Sequence, residues 1–328
     1  MLFDVGFIRS KSFPFPVIVV GNLNTGGTGK TPHVEYLVKL LYEHYKVATL
    51  SRGYGRKTKG FIIADDKSDA TQIGDEPMLY QHRFGKNILV GVGEERVAAI
   101  EKIKQQHKQT EIIVLDDAFQ HRYVKPGLAI VLTEFRHPYF NDYLLPAGNL
   151  REPKSGVKRA DIIIVTKCPE DLSEVVQKVY IDKINPLSHQ QVFFSSYQYN
   201  NLVSLNEDLS LSLESLKEYE VLLMQGIANP KPMKKFLDSV CNKVHLLRFP
   251  DHHQYNREDL NFIERNFNII ASAKKIIITT EKDAMRLRDV SLSVQVNQLP
   301  IYYLPIQVYF INKQIEFNQH IKNYVKKN

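Results

Sequence analysis

Residues 17 to 31 read VIVVGNLNTGGTGKT: four apolar residues, a glycine-rich turn, then Gly29-Lys30-Thr31. Val17 to Val20 form a buried strand in this reading, and beyond Pro32 the residues Val34, Leu37, Val38 and Leu41 recur at helical spacing. Pro32 suits a first helical turn, where its missing N–H has no partner to lose. A strand, a glycine-rich turn and a helix in that order make a phosphate-binding loop. Gly26, Gly27 and Gly29 let successive N–H groups turn inward around an anion at the positive end of the helix. Lys30 is placed to reach β- and γ-phosphates, and the Thr31 hydroxyl to ligate Mg²⁺. The nucleotide-binding candidates are therefore Asn24, Thr25, Gly26, Gly27, Thr28, Gly29, Lys30 and Thr31. Asn24 departs from the usual G-x-x-x-x-G-K-[ST] pattern by standing where the first glycine is expected, and asparagine tolerates left-handed backbone angles better than most residues.

The second decisive stretch is EIIVLDD, residues 111 to 117, which delivers two acids at the end of an apolar strand. Downstream of a phosphate loop this is the arrangement that carries a carboxylate to Mg²⁺ beside the phosphates, with Asp116 and Asp117 as candidates. Gln120, His121 and Arg122 follow, crowd polar groups next to it and are, with Arg52 and Tyr54, the substrate-binding candidates. The loop SRGYGRK, residues 51 to 57, ends another strand; Arg52 and Tyr54 there suit an anion or a sugar, and a solvated turn is the equal alternative. In GDEP, residues 74 to 77, Asp75 and Glu76 stand where helix-capping acids usually stand. The proline- and glycine-rich loop LLPAGNLREP, residues 144 to 153, ends in Arg151 and Glu152, either a lid that presents Arg151 to phosphate and Glu152 to metal or a surface ion pair.

Length and composition bound the rest. A chain of 328 residues corresponds to about two domains, and 43% hydrophobic residues suffice for proper cores. Two cysteines, Cys168 and Cys241, make neither a disulfide framework nor a C-x-x-C metal pattern, which points to a reducing compartment. The net charge of +7 favours an anionic partner without choosing among nucleotide, lipid, sugar phosphate and nucleic acid. No apolar run approaches the roughly 20 residues that span a bilayer. The first sixteen residues do not read as a secretory signal; Leu2, Phe3, Phe7 and Ile8 are read as a frayed or packed terminus, with a short surface anchor as the alternative. From about Ala160 the strand-helix pattern restarts, so a P-loop domain over residues 1 to 158 and a smaller α/β domain over 159 to 328 are expected. The fold class is α/β, two α/β/α sandwiches, the first a P-loop NTPase-type parallel sheet. The adjacent His252 and His253 lack the spaced His or Cys partners of a zinc site, Thr280-Glu281-Lys282-Asp283 reads most simply as a helix cap, and the end of the chain reads as a basic tail.

Taken together these stretches resemble the tetraacyldisaccharide 4′-kinase family, the lipid A 4′-kinases of Gram-negative bacteria. The resemblance rests on GNLNTGGTGKTP (21 to 32), SRGYGRK (51 to 57), GDEP (74 to 77), LDDAFQHR (115 to 122), LLPAGNLREP (144 to 153), GIANP (226 to 230), FPDHHQY (249 to 255) and TTEKDA (279 to 284). It implies an ATP- and Mg²⁺-dependent kinase that phosphorylates the 4′-hydroxyl of an acylated glucosamine disaccharide 1-phosphate. The enzyme would be a monomer, peripheral on the cytoplasmic face of the inner membrane. Carried over by motif, Lys30 and Arg151 attend the transferring phosphate, Thr31, Asp116, Asp117 and Glu152 surround the metal, and Asp75 is the base, assisted by His252 from the second domain. That role for Asp75 overrides capping. The family generally carries a longer amphipathic segment before the phosphate loop. A different P-loop enzyme, such as a GTPase or a small-molecule kinase, is one rival. A nucleic-acid binder is the other, and the dispersion of basic residues along the chain disfavours it.

Overall fold

The computed structural model describes Phe3 and residues 7–206, 209–227 and 229–328. Leu2 and Ala228 of the GIANP stretch lie outside the described residues. The chain opens with β1 (Val17–Asn22), the phosphate loop and α1 (Lys30–Leu41). It continues through β2 (Val47–Ser51), β3 (Ile62–Ile63), α2 (Ala70–Ile73), α3 (Asp75–Phe84) and β4 (Leu89–Val92). Next come α4 (Arg96–Gln106), β5 (Ile112–Asp116), β6 (Leu128–Glu134), β7 (Ile162–Thr166), α5 (Glu174–Ile184) and β8 (Gln191–Tyr199).

The chain then builds a separate unit over residues 199–306. Its elements are β9 (Leu202–Ser204), β10 (Ser210–Leu211), β11 (Glu220–Gln225), α6 (Lys231–Val240), β12 (Lys243–Arg248), α7 (Arg257–Ile269), β13 (Lys275–Thr279), α8 (Glu281–Leu287), α9 (Ser293–Val296) and β14 (Ile301–Tyr303). After it, β15 (Ile306–Phe310) and α10 (Gln314–Lys327) belong to the first unit again.

The first unit is a nine-stranded sheet in the order β15-β8-β7-β6-β1-β5-β2-β4-β3. All the pairings from β8 through β4 are parallel, so their carboxyl ends share one rim. Strict alternation of buried side chains makes a core on each face. Val17, Val19, Ile113 and Leu115 meet Ala99, Ile100 and Ile103 of α4 on one side. On the other, Ile18, Val20, Ile112 and Val114 meet Val34, Leu37 and Val38 of α1 together with Phe317, Ile321 and Val325 of α10. Strands covered on both faces have to be apolar nearly throughout, which is why these segments read as continuous hydrophobic runs. The second unit is a six-stranded sheet ordered β10-β9-β14-β13-β11-β12, with Val221, Leu223, Ile276 and Ile278 packed on Met233 and Leu237 of α6.

Two expectations are corrected. The first domain does not end at residue 158: β7 pairs in parallel with β6, Ile130 opposite Ile162, and β8 pairs with β7. A strand-helix-strand period looks the same whether it extends an existing sheet or starts another, and here it extends one. Nor are the final residues a loose basic tail, because α10 presents Phe317, Ile321 and Val325 at i, i+4 and i+8 to the core while its lysines face outward. Phe317 is 1% exposed. Truncation to Phe317→Ala should cost about 3–5 kcal/mol, read as a lower denaturant midpoint for the unit that contains the phosphate loop.

Candidate active site

The site forms on the rim where β6, β1, β5 and β2 end. Parallel register puts Val20 opposite Asp116, so the phosphate loop and the acids after β5 leave adjacent strands together. Gly21 permits that approach: a Cβ there would run into Phe119, which follows Asp116-Asp117-Ala118. The loop itself turns on left-handed Gly26 (φ 99°) and Gly29 (φ 88°), and a Cβ on Gly29 would land on the Tyr197 hydroxyl. Asn22, fully buried at the end of β1, fastens the turn internally by donating from Nδ2 to the Thr28 hydroxyl (2.9 Å) and the Gly26 carbonyl (3.3 Å). The Thr166 hydroxyl donates to the Thr28 carbonyl (2.8 Å) from the end of β7. Behind the loop, buried His33 donates from Nδ1 to the Gly29 carbonyl (2.7 Å), which leaves Nε2 to accept from the Ser195 hydroxyl (2.9 Å).

Two cationic groups and two acids meet at this rim. Lys30 donates to Asn22 Oδ1 (3.3 Å) and lies 3.6 Å from Asp117. Arg151 donates to the Asp117 carboxylate (2.8 Å), to the Asn22 carbonyl (3.1 Å) and to Asn22 Oδ1. Burial acts to raise the Asp117 carboxyl, and Lys30 and Arg151 outweigh it, holding that group below the usual carboxylate range. Asp116 is the opposite case: burial, reinforced by the Glu76 charge, pushes it up to about 6 against the pull of Lys30. Its Oδ2 accepts from the Tyr80 hydroxyl (2.8 Å), and its Oδ1 is buried with no hydrogen-bond partner. A buried, orphaned carboxylate oxygen beside Lys30 fits a hard cation. Mg²⁺ takes one or two carboxylates plus phosphate oxygens and water, so it does not need a protein cage; among the described residues no cluster of three or more His, Cys, Asp or Glu forms one.

The remaining candidates divide by position. Glu152 is ion-paired with Arg159 (2.8 Å) and accepts from Gln120 Nε2 (2.8 Å), while that same Gln120 nitrogen donates to the Asn22 carbonyl (2.8 Å). Gln120 and Glu152 thus brace the strand end. Asp75 is the first residue of α3, 7% exposed, and Gly74, not Asp75, is the cap residue before it. Gly74 (φ 96°) packs against Gly53 and Tyr54, which brings the SRGYGRK and GDEP loops together. Arg52 and Tyr54 are exposed there, whereas Arg56 is tied to Glu94 (2.5 Å). Arg96, overlooked in the sequence, is 3% exposed; burial, reinforced by Arg52, brings its guanidinium down to about 10, and burial together with Arg96 lowers His121. Arg122 lies over the Phe3 ring at 5.0 Å. His252 belongs to the second unit, where it has a left-handed backbone (φ 58°) and its Nδ1 accepts from Arg286 (3.3 Å). Asn22 and Tyr80 were also overlooked; a polar residue closing an apolar strand and a tyrosine one turn after Glu76 were the available signals.

A family model described as tetraacyldisaccharide-1-P 4'-kinase matches residues 1–326. The chain belongs to the tetraacyldisaccharide 4′-kinase family. It is 44% identical to the tetraacyldisaccharide 4'-kinase of Bacteroides thetaiotaomicron, over 100% of this chain and 89% of that one. It is 45% identical to that of Flavobacterium johnsoniae, over 100% and 92%. The fold matches the crystal structure of the "apo" form of LpxK from Aquifex aeolicus in complex with ATP, with a TM-score of 0.75 at 28% identity, covering 99% of this chain and 93% of that one.

Two outcomes follow for this member of the 4′-kinase family. Gly29→Ala should weaken ATP binding by about tenfold or more, the cost of a side chain at positive φ, in a direct titration, while Gly27→Ala, whose Cβ meets nothing within 4 Å, leaves the melting temperature unchanged. Burial brings His33 down to about 4, so its stabilising neutral form is fully present above pH 6.5 and is lost as pH falls toward 4. The melting temperature of His33→Gln should therefore fall less steeply through that window than that of the parent.

Proposed function

We propose that the rim of the first unit carries out phosphoryl transfer with the residues assigned as follows. The chain is a tetraacyldisaccharide 4′-kinase, an ATP-dependent enzyme of lipid A biosynthesis that phosphorylates a lipid A precursor at the 4′ position. The observation that carries the residue assignment is the convergence of Lys30, Arg151, Asp116 and Asp117 around Asn22 at the mouth of the phosphate loop. The N–H groups of Gly27, Gly29, Lys30 and Thr31 cradle the polyphosphate, and Lys30 and Arg151 neutralise the charge that develops on the transferred group. A bound Mg²⁺ would supply charge neutralisation for the phosphates. Thr31 and Asp116 would hold it, with Asp117, engaged by Lys30 and Arg151, and Glu152, engaged by Arg159, the outlying candidates. Asp75 accepts the proton of the sugar hydroxyl as the new P–O bond forms and the bond to the ADP leaving group breaks. His252 assists that base, a role that rests on the family motif. Arg52, Tyr54, His121 and Arg122 line the acceptor side.

The acceptor is the 4′-hydroxyl of an acylated glucosamine disaccharide 1-phosphate. A lipid of this kind resides in a bilayer. No helix among the described residues is long and apolar enough to cross one. Peripheral attachment of a monomer to the cytoplasmic face of the inner membrane fits the net charge of +7, since each cationic residue near an anionic leaflet contributes roughly 1 kcal/mol.

The test is label transfer from γ-labelled ATP to the acylated disaccharide 1-phosphate in detergent with Mg²⁺. Asp75→Ala should lower kcat by about 10²–10⁴-fold with little change in the KM for ATP, and Lys30→Ala should abolish transfer. ATP hydrolysis with an unlabelled lipid would remove the acceptor assignment, and a fully active His252→Ala would remove that residue's role.

A further inference from the structure

The segment from Asp142 to Arg151 is fixed to the phosphate loop by hydrogen bonds that the assignment above leaves unused. Asn24, standing in place of the first glycine of the usual pattern, directs its side chain away from the turn and donates from Nδ2 to Asp142 Oδ2 (2.7 Å). The other carboxylate oxygen accepts the N–H groups of Tyr143 (2.8 Å) and Asn149 (3.0 Å), so one carboxylate closes the loop on itself and on the phosphate loop. Backbone bonds run alongside: the Thr25 N–H donates to the Asn149 carbonyl (2.7 Å), the Arg151 N–H donates to the Leu23 carbonyl (2.8 Å), and Asn24 and Leu150 form an antiparallel bridge. Gly148 lies against the same carboxylate, where a Cβ would collide with Asp142 Oδ1 and the Tyr143 backbone. A glycine at position 24 would supply no donor to Asp142.

We propose that Asp142 is a positioning residue for phosphoryl transfer. Through Asn24 and the Asn149 amide it seats the loop on the phosphate loop, and so sets the Arg151 guanidinium at Asn22 and Asp117, where the transferred group develops charge. The inference rests on the role given to Arg151 above. Hydrogen bonds to an ionised acceptor are shorter and stronger than neutral ones, and errors of about 1 Å in the placement of a catalytic cation cost up to about 10²-fold in rate.

Steady-state transfer to the acylated disaccharide 1-phosphate, ATP titration and thermal melting on the full chain test this. Asp142→Ala should lower kcat about tenfold or more while the KM for ATP moves less than about threefold and the melting temperature stays near that of the parent. Asp142→Asn should restore most of the rate, since its carbonyl still accepts two N–H groups and the Asn24 amide can turn its buried, unpartnered Oδ1 toward the new NH₂. In an Arg151→Ala background Asp142→Ala should add no further loss. Should Asp142→Ala fail to fold, Asn24→Ala removes the same bond from the other side and carries the same expectation against Arg151→Ala. An Asp142→Ala enzyme at full kcat, or one whose loss multiplies with that of Arg151→Ala, overturns the positioning role. A fully active Arg151→Ala overturns instead the reading of Arg151 on which it rests.

Discussion

Everything at the site depends on one buried amide. Asn22 ends β1 with no solvent exposure, and an unsatisfied amide there would cost several kcal/mol. Its nitrogen holds Thr28 and Gly26, its side-chain oxygen accepts from Lys30 and Arg151, and its backbone carbonyl accepts from Arg151 and Gln120. A single side chain therefore fixes the curvature of the phosphate loop and the placement of two cations and a bracing glutamine. Because the amide is satisfied by the very groups that would attend a phosphate, the geometry is set before ligand arrives, which is how electrostatic stabilisation avoids reorganisation during reaction.

The two acids beside it differ through surroundings alone. Asp117, left-handed at φ 49°, lies between Lys30 and Arg151 and stays ionised. Asp116, one residue earlier and still in the strand, is enclosed, faces the charge of Glu76, and is satisfied on one oxygen by Tyr80. Neighbouring carboxylates are thus prepared for different partners: one balances fixed cations, the other retains a buried oxygen that suits a metal ion.

The covalent path of the chain also matters. The first unit is completed only by β15 and α10, which come after the whole of residues 199–306. Phe310 and Phe317 stack at 4.1 Å and pack with Phe193 beneath α1, so the helix that leads out of the phosphate loop is supported by residues nearly three hundred positions away. Loop-closure entropy grows slowly with length, which makes such an insertion thermodynamically tolerable.

Local sequence determined the strand, turn and helix around Lys30, the apolar strand ending in Asp116, the cap at Thr280 and the runs that became central strands. In each case the signal is a backbone requirement or a burial period that a short window contains. Together the motifs were also specific enough to indicate the family. Only the tertiary structure decided that β7 and β8 extend the first sheet, that the basic end is a core helix, that Glu152 goes to Arg159, and that Asn24 serves Asp142. Parallel pairing, helix docking and side-chain partnership between residues 24 and 142 are set by long-range register. A local pattern shows that a polar group needs a partner, but which partner it meets is decided only when the strands align.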